Sequence, residues 1–308
     1  MQKLITYRLL KEKRYGNWSG TGAGKTLSAI FAGRYAKMKN TLIVCNNSTV
    51  NGWVNSIDEY FKNNTVYVKQ ILDDTDTSLY TVADKYNVNL KDGDNNYFIL
   101  NYETFQQEDS EYIVSELLKN NTVDYIILDE IQNVKQRDDD KQSTRRDVVN
   151  KLLIHASDNN DDLMIMAMSA TPIINNLTEP KKLIELLTSE SHDDLETTEN
   201  ITNGIEMYKA LTRHGLRYKP NYGISINEEI VEIDGSDLSG EIIKIPKGAV
   251  IPFEKILLDV KLDSISDKIK KGTLIYTHYV TEFSHLIGDY VENLGFSVGY
   301  YTGLDKSG

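Results

Sequence analysis

The glycine-rich stretch Ser19-Gly20-Thr21-Gly22-Ala23-Gly24-Lys25-Thr26 decides the fold of this chain. Glycines let a backbone turn so that successive N–H groups face one point, and a helix that starts there adds its positive end. A loop of this kind binds phosphate groups. Lys25 would reach the β- and γ-phosphates of a nucleotide, and the Thr26 hydroxyl would hold Mg²⁺. The strict pattern has Gly at position 19, and no clear strand pattern precedes the loop.

Short apolar runs alternate with longer helix-like segments downstream of this loop. Strands separated by helices of 10–15 residues form βαβ units, so the pattern predicts an α/β fold with a mostly parallel sheet and helices on both faces. The predicted strands are Thr41–Cys45, Val66–Ile71, Tyr97–Tyr102, Asp124–Leu128 and Leu163–Met168, and the predicted helices are Lys25–Met38, Thr49–Phe61, Ser110–Lys119, Thr144–His155 and Glu179–Leu187.

The alternation stops near residue 190, which divides the chain into three predicted parts. Residues 1–190 form a complete first lobe, and residues 191–260 form an irregular linker or insertion of short strands and turns. Residues 261–308 then begin a second lobe. This last part contains a helix, the strand Thr273–Tyr276, the helix Thr281–Asn293 and the strand Ser297–Tyr301.

Composition excludes several classes of protein. The chain has 34 Lys and Arg against 46 Asp and Glu, a net charge of −12, which excludes a uniformly basic nucleic-acid coat but allows local basic tracks. Its apolar runs are too short to span a bilayer, so we expect no membrane association. Cys45 is the single cysteine, which fits a reducing compartment. We expect a cytoplasmic protein, or a nuclear or virion-associated one if its source is eukaryotic or viral.

Two further motifs follow predicted strands. Asp129-Glu130-Ile131-Gln132 comes directly after the apolar run Tyr125–Leu128. Asp129 would bind Mg²⁺, usually through water, and Glu130 would position and deprotonate the attacking water. The small hydroxyl residues of Ser169-Ala170-Thr171-Pro172 suit a hinge that senses the state of the nucleotide. Each motif alone is a weak signal, and their combination with the loop is a strong one.

These three elements resemble motifs I, II and III of superfamily-two helicases and translocases, and the finer resemblance is to the Swi/Snf-like branch. Further segments extend the likeness. Motif Ia is resembled by Thr41–Cys45 with Trp53, motif Ib by Asn101–Thr104, and the extended motif II by Asp129–Lys135. Motif III with its tail is resembled by Ser169–Asn176, and motif IV by Thr273–His278. Gln2 lies about where this family keeps a glutamine that reads adenine.

The resemblance implies a RecA-like ATP-binding lobe, the start of a second RecA-like lobe, and an ATP hydrolase that uses Mg²⁺. It implies an ATP-dependent motor that moves on duplex DNA. The residues carried over are Gln2, Gly20, Thr21, Gly22, Gly24, Lys25 and Thr26 for ATP; Thr26 and Asp129 for the metal; Lys25, Asp129 and Glu130 for catalysis; Gln132, Ser169, Ala170 and Thr171 for coupling; and Asn46, Asn47, Asn101, Tyr102, Thr277 and His278 for DNA.

The chain departs from the family pattern at several positions. Gln132 replaces a common histidine, Asn46 stands where proline often follows motif Ia, and Ser-Ala-Thr replaces the more usual Thr-Gly-Thr. A neighbouring branch of restriction-type or viral helicases therefore stays open. Motif V and motif VI, the second of which carries the arginine fingers, are not found in the 308 residues, so residues 1–308 alone are expected to bind ATP but hydrolyse it slowly.

Two alternatives remain beside a DNA translocase. One is a nucleotide-gated DNA-binding or assembly module with little hydrolysis of its own. The other is an ATPase unrelated to nucleic acid, which motifs Ia and Ib disfavour. A translocase of this type could serve restriction, defence, remodelling or transcription complexes, with their other subunits as partners.

Overall fold

The computed structural model describes residues 1–68, 95–106, 111, 115, 118, 122–136, 143–173, 175–223 and 227–300. Its internal contacts divide the chain into two units, Met1–Tyr222 and Gly223–Gly308. Each unit is described by itself below.

The first unit is built on a parallel sheet, which contains seven strands within the described residues. Its order is β3-β4-β2-β5-β6-β1-β7, and every pair of neighbours is parallel. The strands are β1 (Arg14–Asn17), β2 (Asn40–Cys45), β3 (Asn64–Val68), β4 (Asn95–Asn101), β5 (Tyr125–Leu128), β6 (Met164–Met168) and β7 (Gly215–Leu216).

Helices cover both faces of this sheet because its central strands are apolar on both sides. The helices of this unit whose bounds lie within the described residues are α1 (Gln2–Glu12), α2 (Lys25–Tyr35), α3 (Val50–Tyr60), α4 (Thr144–Asn159), α5 (Thr178–Thr188) and α6 (Ile201–Arg213). Alternation along β5 shows the two layers: Tyr125 and Ile127 pack with α1–α3, whereas Ile126 and Leu128 pack with α4–α6. The predicted α/β fold with a parallel sheet is confirmed.

The four apolar strands β2, β4, β5 and β6 lie within a residue or two of their predicted bounds, whereas β1 was not predicted. It has four residues, Arg-Tyr-Gly-Asn, and lacks an apolar run. Its place in the sheet depends on Trp18, whose indole lies against two glycines. A Cβ on Gly16 would come within 2.0 Å of this indole, and one on Gly215 within 2.1 Å. The contact joins residues some 200 positions apart, and local sequence patterns do not report it.

The segment predicted to be irregular, 191–260, contains regular elements in the structure. Helix α6 buries Met207, Ala210 and Leu211 on one face while Ile201 and Ile205 are exposed on another. The apolar residues of this segment recur with a helical period, so the helix could have been predicted from the sequence. Strand β7 follows it and pairs with β1. The predicted helix Ser110–Lys119 and the end of the predicted strand Val66–Ile71 lie largely outside the described residues.

The second unit contains α7 (Ser239–Ile242), α8 (Val250–Asp263) and α9 (Val280–Asn293). The predicted helix at 281–293 is confirmed by α9. The predicted strands Thr273–Tyr276 and Ser297–Tyr301 are not strands among the described residues of this unit. A strand needs a hydrogen-bonded neighbour, and the side chains of Leu274 and Tyr276 are 90% and 78% exposed instead of packed in a sheet. Among the described helices, none is both long and apolar enough to span a lipid bilayer.

Candidate nucleotide-binding site

The glycine-rich loop lies at the carboxyl end of β1 and leads directly into α2. Gly22 and Gly24 have φ angles of 71° and 74°, in the left-handed region that favours glycine. A Cβ on Gly24 would lie 2.7 Å from Gln2 Nε2. Because the N-cap residue of α2 is Gly24, it has no side chain to cap the helix. The first N–H groups of α2 are thus placed to bind an anion.

Polar groups of the loop fit a phosphate-bearing ligand. The Lys25 ammonium crosses the loop and donates to the carbonyl oxygens of Ser19 and Gly20 at 3.1 and 3.3 Å. The Ser19 hydroxyl is buried and has no hydrogen-bond partner among the described residues. Gln2 Nε2 lies 3.5 Å from the Gly24 carbonyl oxygen, which brings α1 beside the loop. Thr21 and Thr26 lie on the loop and at the start of α2.

Asn17, the last residue of β1, holds the base of the loop and was missed by sequence reasoning. Its buried amide donates to Ser28 Oγ of α2 at 3.0 Å and accepts from the Ser19 N–H at 3.3 Å. Its carbonyl oxygen accepts from the Ser169 N–H at 3.2 Å. Asn17 therefore connects the loop, the helix and the end of β6. A polar residue at a strand end could have been found only if the strand had been recognised.

The chain beyond β7 supports the loop from its outer side, which sequence reasoning also missed. The Gly20 N–H donates to the Tyr218 carbonyl oxygen at 2.8 Å and so continues the pairing of β1 with β7. The Tyr222 hydroxyl donates to the Thr21 carbonyl oxygen at 2.6 Å. A Cβ on Gly22 would come within 2.3 Å of that hydroxyl oxygen, so Gly22 also makes room for Tyr222.

Asp129 follows β5 and is 8% exposed. Its Oδ2 accepts a hydrogen bond from the Trp53 indole Nε1 at 2.9 Å. Burial raises the pKa of Asp129 to about 6, the Glu130 charge raises it as well, and the Trp53 hydrogen bond and the Lys25 charge lower it. A buried carboxylate that feels the loop lysine is placed to balance a cation. Asp129 and Thr26, the two residues predicted to hold Mg²⁺, both offer hard oxygen donors, the kind that Mg²⁺ prefers.

Glu130 has a left-handed backbone, with a φ of 50°, which is strained for a residue with a side chain. Two amides hold it: Gln132 Nε2 donates to Glu130 Oε2 at 2.6 Å, and Asn133 Nδ2 donates to the Glu130 carbonyl oxygen at 2.8 Å. Gln132 Oε1 is buried without a partner among the described residues. The carboxylate is therefore oriented by its own turn, and Gln132 retains an unused acceptor.

The Ser169–Thr171 segment follows β6 beside the loop. The Ser169 hydroxyl is buried and accepts from the Thr171 N–H at 2.9 Å, so the segment forms a tight turn around Ala170. Because β6 pairs with β1 on one side and β5 on the other, the turn lies between the loop and the Asp129–Glu130 pair in the strand order. All three predicted motifs thus occupy one edge of the sheet.

The predicted DNA-facing residues divide into surface and core positions. Asn47 is exposed and Asn46 is half-buried, both just after β2. Asn101 and Tyr102 are fully buried, which corrects their assignment as DNA contacts. The Asn101 amide oxygen accepts from the Thr104 hydroxyl at 2.6 Å, so this side chain shapes the turn after β4.

Tyr102 packs within the core, with the Arg145 guanidinium 5.9 Å from its ring centroid. Thr277 and His278 belong to the second unit. There the Thr277 hydroxyl accepts from the Tyr279 N–H at 3.2 Å, and the His278 ring lies 5.1 Å from that of Tyr276.

Asp129→Asn should stabilise the ligand-free protein at pH 7.5, by about 1–3 kcal/mol, since a raised pKa means that the ionised carboxylate disfavours the folded state. The folded pKa lies near 6 and the ordinary value near 3.8, so the gain should shrink as the pH falls through 6. Urea unfolding with EDTA at pH 7.5 and 5.0 measures it, with exposed Asp158→Asn as the control. A variant less stable than the wild type at pH 7.5 would contradict the result.

Comparison with known proteins places the chain in a family. Residues 19–215 match the SNF2-related domain. The chain is 31% identical over 175 residues to nucleoside triphosphatase I of Choristoneura fumiferana entomopoxvirus; the match covers 54% of this chain and 23% of that protein. The chain thus spans about a quarter of the length of this relative.

A solved structure of low sequence identity shares the fold, and the match to a second one is weaker. The SWI2/SNF2 ATPase core of Sulfolobus solfataricus in complex with dsDNA superposes with a TM-score of 0.50 at 15% identity, over 95% of this chain and 63% of that one. The Pyrococcus furiosus Hef helicase domain has a TM-score of 0.43 at 14% identity, over 95% and 52%. With its loop, its carboxylates and its third motif inside the matched residues 19–215, the chain belongs to the SNF2-related domain family.

Proposed function

We propose that this chain contains the ATP-binding lobe of an ATP-driven motor that moves on duplex DNA. One observation carries the proposal: the phosphate-binding loop, the Asp129–Glu130 pair and the Ser169–Thr171 turn follow three neighbouring strands of one sheet, β1, β5 and β6. In open parallel sheets, ligands bind outside the carboxyl ends of the strands. Residues 1–190 would form this lobe, and residues 261–308 would belong to a second lobe.

ATP would bind with its phosphates in the loop. The loop N–H groups and the positive end of α2 would hold the phosphate oxygens, and Lys25 would exchange its two backbone carbonyl partners for the β- and γ-phosphates. Gln2, on the helix beside Gly24, would read the adenine. Thr26 and Asp129 would hold Mg²⁺, which when bound neutralises charge on the phosphate oxygens.

Glu130 would accept the proton of the attacking water. Its side chain is oriented by the hydrogen bond from Gln132 in the turn that follows β5. The hydrogen bond from the Ser169 N–H to Asn17 ties the third motif to the strand that bears the loop. A shift of the loop on hydrolysis would therefore reach Ser169–Thr171, which is the coupling role we propose for this turn.

Duplex DNA is proposed as the polymer along which this motor moves. The Sulfolobus solfataricus SWI2/SNF2 ATPase core was solved in complex with dsDNA, and the viral relative is a nucleoside triphosphatase. In this chain the amides of Asn46 and Asn47 lie after β2 and can donate to DNA phosphates without any large basic surface. The net charge of −12 then favours a few placed contacts over general attraction.

Lys25→Ala should weaken MgATP binding by about 10- to 100-fold, since it removes a charge-assisted hydrogen-bond donor to the phosphates. Isothermal titration calorimetry with a non-hydrolysable ATP analogue measures this, and circular dichroism checks the fold. Lys209→Ala, which removes an exposed lysine paired with Glu206 on α6, is the matched control. Equal affinity of the Lys25 variant and the wild type would refute the assignment of the loop.

Glu130→Gln should slow hydrolysis by at least about 100-fold while MgATP affinity changes only a few-fold, because Gln keeps the shape and loses the proton acceptor. Single-turnover measurement with protein in excess suits a slow enzyme, and exposed Glu196→Gln serves as the control. An unchanged rate would exclude Glu130 as the base, and loss of ATP binding would make it a structural residue.

Duplex DNA should bind in a manner that depends on both salt and nucleotide. Fluorescence anisotropy of a labelled duplex should show an affinity that falls steeply with salt and differs several-fold between ADP and a non-hydrolysable ATP analogue. Asn47→Ala should weaken binding at every salt concentration, whereas exposed Asn159→Ala, at the end of α4, should not. Affinity that is indifferent to nucleotide and to salt would count against a DNA motor.

A further inference from the structure

The two tryptophans of this chain are both buried, and each donates its indole N–H to one oxygen. Trp18 donates to the Leu211 carbonyl oxygen at 3.0 Å, a neutral acceptor in the core. Trp53 donates to the Asp129 carboxylate at 2.9 Å. An indole makes one hydrogen bond as a donor and none as an acceptor, so each of these rings serves one partner. Only the partner of Trp53 belongs to the nucleotide site.

Packing fixes the position of the Trp53 ring. Val50, Trp53 and Ile57 form the buried face of α3, and Trp53 is 1% exposed. It belongs to the same core cluster as Ile43 and Cys45 of β2, the strand next to β5. A large flat side chain held on all sides has little rotational freedom. Its N–H therefore reaches the carboxylate from a direction set by the core.

This hydrogen bond helps to orient the Asp129 carboxylate. Oδ2 accepts the indole hydrogen bond, and the Glu130 backbone N–H also donates to the carboxylate, so the orientation of the carboxylate is set from the protein side. The donor is neutral and cannot lose its proton, so it orients the carboxylate without cancelling its charge. A lysine in the same place would compete with a cation for that charge. An orienting group behind a metal-binding carboxylate commonly matters nearly as much as the carboxylate itself.

We propose that Trp53 is a positioning residue for Mg²⁺: it holds Asp129 so that one carboxylate oxygen is presented to the metal of the Mg²⁺–nucleotide complex. The inference rests on the proposed function, because it takes Asp129 as the metal-binding carboxylate. It adds a residue of α3, which has no role in phosphate binding, to the determinants of metal affinity.

The first test reads the hydrogen bond directly in the wild-type protein. Two tryptophans give two indole N–H cross-peaks in a ¹⁵N-labelled sample, which Trp53→Phe and Trp18→Phe assign. Adding Mg²⁺ to the ADP-saturated protein should move the Trp53 peak more than the Trp18 peak. Asp129→Asn should remove the response of the Trp53 peak to Mg²⁺.

The second test measures metal affinity. Trp53→Phe should raise the Mg²⁺ concentration needed for half-maximal tightening of ADP binding by about 10- to 100-fold, the usual effect of losing an orienting partner. Affinity for ADP in EDTA should stay unchanged, which a general loss of structure would not permit. Ile57→Val, which trims another buried side chain on the same face of α3, should leave the Mg²⁺ midpoint where it is.

The outcomes separate this inference from the function on which it rests. If wild-type protein binds ADP with Mg²⁺ but the Trp53 peak ignores the metal and Trp53→Phe keeps the wild-type midpoint, the positioning role is wrong and the nucleotide site stands. If wild-type protein binds neither ADP nor ATP, both the proposed function and this inference fall. Should Trp53→Phe fail to fold, the response of the wild-type Trp53 peak to Mg²⁺ still decides the question.

Discussion

The nucleotide site depends on one short strand, β1, held between β6 and β7. The strand has four residues and little apolar surface, so its own sequence cannot hold it there. The ladder to β6 does so in register, with Asn17 opposite Met168, and the Gly16–Gly215 pair lets the Trp18 indole lie against the sheet. Because β1 ends level with β6, the loop begins beside Ser169. A side chain on either glycine would collide with the indole and separate the loop from its neighbours.

Burial of charge is the second constraint at this edge of the sheet. Asp129 is almost enclosed, and burial raises its pKa to about 6 although a hydrogen bond and a nearby lysine oppose that shift. A carboxylate kept partly out of water is poorly neutralised by its surroundings, and a cation that reaches it gains correspondingly more. Burial of the ionised carboxylate therefore has an electrostatic cost that a bound cation would offset. The strained backbone of Glu130 adds a second local cost beside it.

The sequence predicts what local patterns encode. The apolar runs predicted β2, β4, β5 and β6. The three motifs predicted residues that lie together at the carboxyl ends of the strands. Local patterns could not reveal β1, which is polar and short, whereas α6 was missed although its apolar residues recur with a helical period. The contacts of Asn17 and Tyr222 were not predicted either, because each joins chain segments that only the fold brings together. The family resemblance predicted that Tyr102 contacts DNA. This large aromatic side chain follows an apolar strand and is buried in the core.

The Lys25 ammonium is held by the loop in a position from which it can reach a phosphate group. It donates to the Ser19 and Gly20 carbonyl oxygens, so the loop itself solvates the charge and the side chain stays at the loop. Each contact is a hydrogen bond between a charged donor and a neutral acceptor. A hydrogen bond from the same donor to a phosphate oxygen is stronger, because that acceptor is charged as well. Exchange of these partners therefore favours the nucleotide without a large movement of the lysine. The Tyr222 hydroxyl holds the Thr21 carbonyl oxygen from the other side. A loop supported from both sides has less conformational entropy to lose on binding, so more of the phosphate interaction remains as affinity.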